Sequence, residues 1–153
     1  MSGRAADRTI QASDETATRA VAAELAAGSR PGSVIALVGP LGSGKTTFVK
    51  AFVEARGIGE DVTSPTFVRL NVYEGDPTVY HLDLYRVESE EEAVKLALDE
   101  WLDTDGITLV EWADRAAELF PDGTVTVTLA YGDLPESRVI TVSHAPPNLR
   151  PQG

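Results

Sequence analysis

Gly39-Pro40-Leu41-Gly42-Ser43-Gly44-Lys45-Thr46 decides the fold, because it is a full match to G-x-x-x-x-G-K-[ST]. Glycines let a backbone take conformations that residues with a Cβ avoid. The loop can then curl and aim the N–H groups of Leu41, Gly42, Ser43 and Gly44 at phosphate oxygens. Lys45 would reach the β- and γ-phosphates of a nucleotide, and the Thr46 hydroxyl would ligate Mg²⁺. The following helix adds its positive N-terminal end. Such a loop must follow a strand and open a helix. Val34–Val38 is a short apolar run that suits a buried parallel strand. Residues 47–56 carry apolar side chains at helical spacing, with Gly57 as a stop signal. Both conditions hold, which argues against a Gly-rich turn that matches by chance.

A chain of 153 residues suits one domain with one core. We read residues 1–145 as a single domain built on the phosphate loop, and the Pro-rich residues 146–153 as a flexible tail. An apolar content of 42% and a charged content of 24% are ordinary for a globular protein. There is no cysteine, which removes disulfides, thiolate chemistry and Cys-based metal sites. The N-terminal stretch lacks the apolar centre of a signal peptide. No run approaches the ~20 apolar residues of a membrane span. The expectation is a cytoplasmic protein. The net charge of −11 repels nucleic acids and anionic membranes at long range, so extensive RNA or DNA binding is disfavoured. An anionic nucleotide then needs a local positive site within an acidic surface. The acidity itself reads equally as solubility or as a match to a basic protein partner.

Moving outward from the loop, residues 9–12 read as a short opening strand. Ser13 reads as the N-cap of a helix running to about Ala27 and stopped by Gly28, with Glu15 in its acidic first turn. Beyond the phosphate-loop helix, residues 67–73 and 78–83 read as two strands of an antiparallel hairpin around the turn residues 74–77. Ser89-Glu90-Glu91-Glu92 matches a capping box and opens a helix toward Leu98 or Leu102. Residues 107–112 form an apolar strand closing in a carboxylate. A short helix over 114–119 follows, then strands 124–130 and 138–143 as a terminal hairpin. The order predicts an α/β fold of three layers, like that of phosphate-loop nucleoside triphosphatases. Its mixed central sheet has parallel core strands and antiparallel hairpins. Ligands in such sheets sit at the carboxyl ends of the parallel strands.

Nucleoside triphosphatases place a carboxylate near Mg²⁺ at the end of a buried strand beside the loop's own strand. Glu111, closing the run 107–110, is the best candidate, and an exposed strand-end acid is the alternative. Asp83 ends the second hairpin strand, where it could orient water or serve as a turn cap. Ser64-Pro65-Thr66 follows the loop helix at a position used for nucleotide-sensing switches, although a plain loop is the simpler reading. His81 stands without Cys or His neighbours, which argues against zinc. Tyr85, Trp101 and Trp112 read as packing residues. Arg86 reads as an anion contact or a surface ion pair.

Gly39–Thr47, Ser64-Pro65-Thr66-Phe67, His81-Leu82-Asp83-Leu84-Tyr85-Arg86 and Val110-Glu111-Trp112 together resemble the TsaE family, over about residues 10–143. Its members are the bacterial ATPases of tRNA threonylcarbamoyladenosine biosynthesis. The resemblance implies that Lys45, Thr46 and Thr47 bind ATP or ADP, with Thr46 and Glu111 on Mg²⁺. It implies that Asp83 is an essential acid, Trp112 its companion aromatic and Thr66 part of a switch-like segment. Glu15 and Arg138 would lie near the nucleotide. It further implies an accessory subunit that docks on TsaD and TsaB, with little or no direct tRNA contact. ATP turnover would reset that complex, and turnover would be weak without the partners.

This sequence departs from the family pattern at two places. Pro40 stands where Asp or Glu is usual, and Ala97 where Gly is common. Neither removes a ligand. Three other readings compete. A small-molecule kinase would bring an Arg-rich lid, yet only Arg115 lies between Trp112 and the terminal hairpin. A GTPase would carry an Asn-Lys-x-Asp base-reading motif, which is absent. A non-hydrolysing bridging module remains the third.

Overall fold

Val34–Val38 (β2) is apolar at every position, so it can be covered on both faces. Four of its five residues are buried, and it occupies the middle of the sheet. The structure, a computed structural model, describes residues 7–58, 70–87, 91–92 and 98–147. The other strands are β1 (Arg8–Ala12), β3 (Leu70–Tyr73), β4 (Val79–Asp83), β5 (Ile107–Glu111), β6 (Val125–Tyr131) and β7 (Arg138–Ser143). They form one seven-stranded sheet in the order β1-β7-β6-β2-β5-β4-β3. The four central strands β6, β2, β5 and β4 pair in parallel. The β3–β4, β6–β7 and β1–β7 pairs are antiparallel. The mixed sheet and both hairpins agree with the sequence reading.

Helices α1 (Glu15–Gly28) and α2 (Lys45–Ala55) cover one face. Phe48 and Phe52 lie one turn apart on α2, both fully buried in a cluster with Ile35, Leu37 and Leu109. Each such burial contributes about 1.5–3 kcal/mol, so α2 is held firmly on β2 and β5. The other face is covered by α3 (Leu98–Trp101) and 3-10 turns over Ala113–Leu119. Leu98, Leu102, Ala113, Ala116 and Phe120 pack there on Val34, Ala36, Leu82 and Val110. This completes the three layers.

Several boundaries differ from the sequence reading. The cap of α1 is Asp14, not Ser13: its backbone is extended (φ −157°) and its carboxylate accepts the Ala17 N–H at 3.1 Å. An acid there also complements the helix dipole. Helix α2 starts at Lys45, two residues early, because Gly44 is itself the capping residue. The fifth strand ends at Glu111, not Trp112, which turns into the left-handed region (φ 58°). The short helix is 3-10 and kinked at Ala116. Residues 67–69, the cap Ser89, Ala97 and the Ser64-Pro65-Thr66 segment lie outside the described residues.

Candidate functional site

The phosphate loop leaves the carboxyl end of β2 and turns on glycines. Gly42 and Gly44 have φ of 78° and 107°, where a Cβ is strained. At Gly39 the requirement is space, since a Cβ would meet the Leu129 carbonyl oxygen at 2.4 Å. Lys45, the first residue of α2, is only 5% exposed. Its Nζ donates to the carbonyls of Gly39 at 2.7 Å and Pro40 at 2.9 Å. The Pro40 carbonyl also accepts the Ser43 N–H at 3.1 Å. The residue at position 40 therefore shapes the loop through its backbone, which Pro retains. Burial pushes the Lys45 ammonium below its usual range, while Glu111, Asp114 and Asp83 oppose that shift. A buried cation at the start of α2 suits an anionic ligand, and the three acids beside it call for a metal cation between them and that ligand.

The acidic half comes from strand register. Strands β4 and β5 run parallel with Asp83 opposite Glu111, which sets two carboxylates side by side where both strands end. Glu111 is 2% exposed, so the exposed-acid alternative fails. Its two oxygens each lie 3.3 Å from Thr46 Oγ1, and Oε2 lies 2.7 Å from His81 Nε2. One hydroxyl beside one carboxylate is the hard-oxygen chemistry that Mg²⁺ prefers, with water completing the shell. The residues present therefore fit the ion that the motif implies. Asp83 is the turn cap that the sequence allowed, and it also borders the cavity. Its Oδ1 accepts the Tyr85 N–H at 2.8 Å as a turn cap, while its carboxyl still lines the cavity. Burial raises its pKa, and the neighbouring Glu111 charge pushes the same way against the Tyr85 bond.

Trp112 closes this side. Its left-handed backbone costs about 1–3 kcal/mol for a bulky residue. The turn places its ring 4.0 Å from Lys45 Nζ and 4.9 Å from the Tyr85 ring. A cavity of about 380 Å³ results, lined by Lys45, Thr46, Asp83, Glu111, Tyr85 and Trp112. A second cavity of about 410 Å³ flanks the loop, lined by Asp14, Glu15, Ser43, Thr47, Glu136 and Arg138 among others. Gly44 and Thr47 border both, so one ligand crossing the loop could reach each. Arg138 grips the loop itself. Its guanidinium donates to Ser43 O (2.9 Å), Gly42 O (3.1 Å), Pro135 O (2.8 Å) and Ser137 O (2.8 Å). Those bonds use four of the five N–H groups an arginine has. The Tyr131 hydroxyl adds a bond to the Leu41 carbonyl.

A family model described as "Threonylcarbamoyl adenosine biosynthesis protein TsaE" matches residues 12–140. The chain belongs to the TsaE family. A tRNA threonylcarbamoyladenosine biosynthesis protein TsaE of Treponema pallidum is 44% identical over 98 residues, 64% of this chain and 73% of the relative. The protein of that name in Bacillus subtilis is 43% identical over 113 residues, 73% of this chain and 70% of the relative. A crystal structure of Bacillus subtilis YdiB superimposes with a TM-score of 0.78 at 33% identity, covering 95% of this chain and 89% of that one.

The TsaE fold thus brings Leu41, Gly42, Gly44, Lys45, Thr46, Thr47, Asp83, Glu111 and Trp112 around one cavity, as the sequence reading grouped them. Glu15, Ser43 and Arg138 line the adjoining one, with Arg138 spent largely on holding the loop. Thr66 lies outside the described residues. Sequence reasoning missed His81, which it weighed only for zinc, and left Tyr131 without a role. Tyr85 read only as a packing residue, whereas for Trp112 the family resemblance implied a site role. The spacing of His81 and Asp83, two apart on one strand, was the signal that both would point to the same side. Among the described residues no helix is long and apolar enough to cross a membrane.

Proposed function

We propose that this chain is a Mg²⁺-dependent ATPase that serves tRNA N6-threonylcarbamoyladenosine biosynthesis in the cytoplasm as an accessory subunit. It docks on the TsaD–TsaB pair, and ATP turnover resets that complex. One observation carries the ATPase reading: buried Lys45 and Glu111 and half-buried Thr46 and Asp83 converge on a single cavity at the carboxyl ends of β2, β4 and β5. The pathway is supported by the names of relatives that share 43–44% of aligned residues.

In this reading Lys45 and the loop N–H groups hold the triphosphate. Thr46 and Glu111 would hold Mg²⁺, whose charge offsets that of the phosphates. Asp83 faces the same cavity with a raised pKa, placed to orient the attacking water. The indole of Trp112, 4.0 Å from Lys45 Nζ, helps to keep Lys45 in place. The test is ATP hydrolysis by the purified chain with and without its cognate TsaD–TsaB pair. Strong stimulation by the pair is expected. Turnover that ignores the pair, or phosphate passed to a small acceptor, would overturn the accessory role.

A further inference from the structure

His81 is fully buried inside the site, and the chemistry above gives it no part. It precedes Asp83 by two residues on β4, so both side chains leave the strand on the face covered by α2. Nε2 lies 2.7 Å from Glu111 Oε2, while Nδ1 is buried without a hydrogen-bond partner among the described residues. The Tyr73 ring stacks beside it at 6.5 Å between centroids. A carboxylate oxygen accepts, which pairs it with the Nε2–H tautomer of the imidazole. Nδ1 has no acceptor in reach among the described residues, so it is the nitrogen that can go without a proton. The contact therefore sets an Nε2–H donor against an oxygen of a buried carboxylate.

That choice of donor matters. A lysine or arginine in the same place would cancel the charge of Glu111. An imidazole N–H fixes the geometry of one carboxylate oxygen and leaves the other oxygen free to face a cation. Groups that hydrogen-bond a metal-ligating side chain orient it in this way, and losing them commonly costs 10–100-fold in metal affinity.

We propose that His81 is a positioning residue for the divalent-cation site: it donates from Nε2 to Glu111 Oε2 and holds the carboxylate facing Thr46. This rests on the Mg²⁺ reading above. The probe is Mn²⁺, titrated into the protein with a non-hydrolysable ATP analogue and followed by electron paramagnetic resonance. His81→Leu, which keeps bulk but removes the donor, should weaken Mn²⁺ binding 10–100-fold, and His81→Gln should recover most of the loss. Analogue binding without metal should not change. Wild-type Mn²⁺ affinity in His81→Leu overturns the proposal. Absence of Mn²⁺ binding in the wild type instead defeats the Mg²⁺ reading itself. If His81→Leu does not fold, nitrogen-15 resonance of the wild-type imidazole decides. A proton on Nε2 supports the assignment, and an unprotonated Nε2 overturns it.

Discussion

Where β2, β4 and β5 finish, a cavity of about 380 Å³ is walled by Lys45, Thr46, Asp83 and Glu111. Where β2 begins, a larger cavity of about 470 Å³ is walled by Leu25, Val34, Ile35, Val125 and Val142, with Arg8, Glu24 and His144 also lining it. Size favours the second, and chemistry favours the first. Arg8 and Glu24 pair with each other at 2.9 Å with both side chains well exposed, a kind of contact that contributes little. Lys45 and Glu111 are 5% and 2% exposed, and Lys45 and Asp83 have displaced pKa values. Charges held buried against their own hydration are the mark of a working site, more than volume is.

Lys45→Ala should break the comparison most severely. It removes the buried cation and its bonds to the loop carbonyls. Partner-stimulated turnover should fall by about 10²–10³-fold, as when a charge-stabilising donor is lost. Wild-type rates in steady-state assays would show that the acid-walled cavity is not the catalytic one.

Asp83→Asn should come next, lowering turnover by about 10²-fold while making the fold more robust. Above its ordinary value of 3.8, the folded protein keeps a proton on Asp83 that the unfolded chain has lost. Stability contributed by this group therefore falls as pH rises through the window from 3.8 to the higher folded pKa. Asn cannot ionise and still accepts the Tyr85 N–H. The variant should melt a few degrees above wild type at neutral pH, with the gap closing toward pH 4. Thermal melts that show no such pH-dependent gap would mean that the Asp83 charge is well accommodated.

The smallest effect belongs to the opposite end. Glu24→Gln should shift Tm by about 2–4 °C at most and leave turnover unchanged. A change in turnover there would show that the two ends of the sheet are coupled.

The phosphate-loop half of the site was legible because its parts are contiguous. Residues 34–56 contain strand, loop and helix in one stretch, and their order alone sets the arrangement. Glu111 was legible because an apolar run ending in an acid is unusual. Asp14 was passed over for Ser13 because two good capping residues adjoin, and only the helix direction selects between them. The His81–Glu111 contact joins residues 30 apart on different strands, which no local pattern encodes. The left-handed turn at Trp112 was equally hidden, since neither Gly nor Asn marks it.

By itself the sequence determined the phosphate loop, its flanking strand and helix, and the residue types that surround them. Those follow from steric rules and apolar periodicity, which act over a few residues. Tertiary structure decided that Asp83 stands beside Glu111, that His81 supports it, that Arg138 spends its donors on the loop, and that Trp112 lies over Lys45. Strand register and a backbone turn stabilised by the surrounding packing bring these groups together, and both are properties of the folded sheet as a whole.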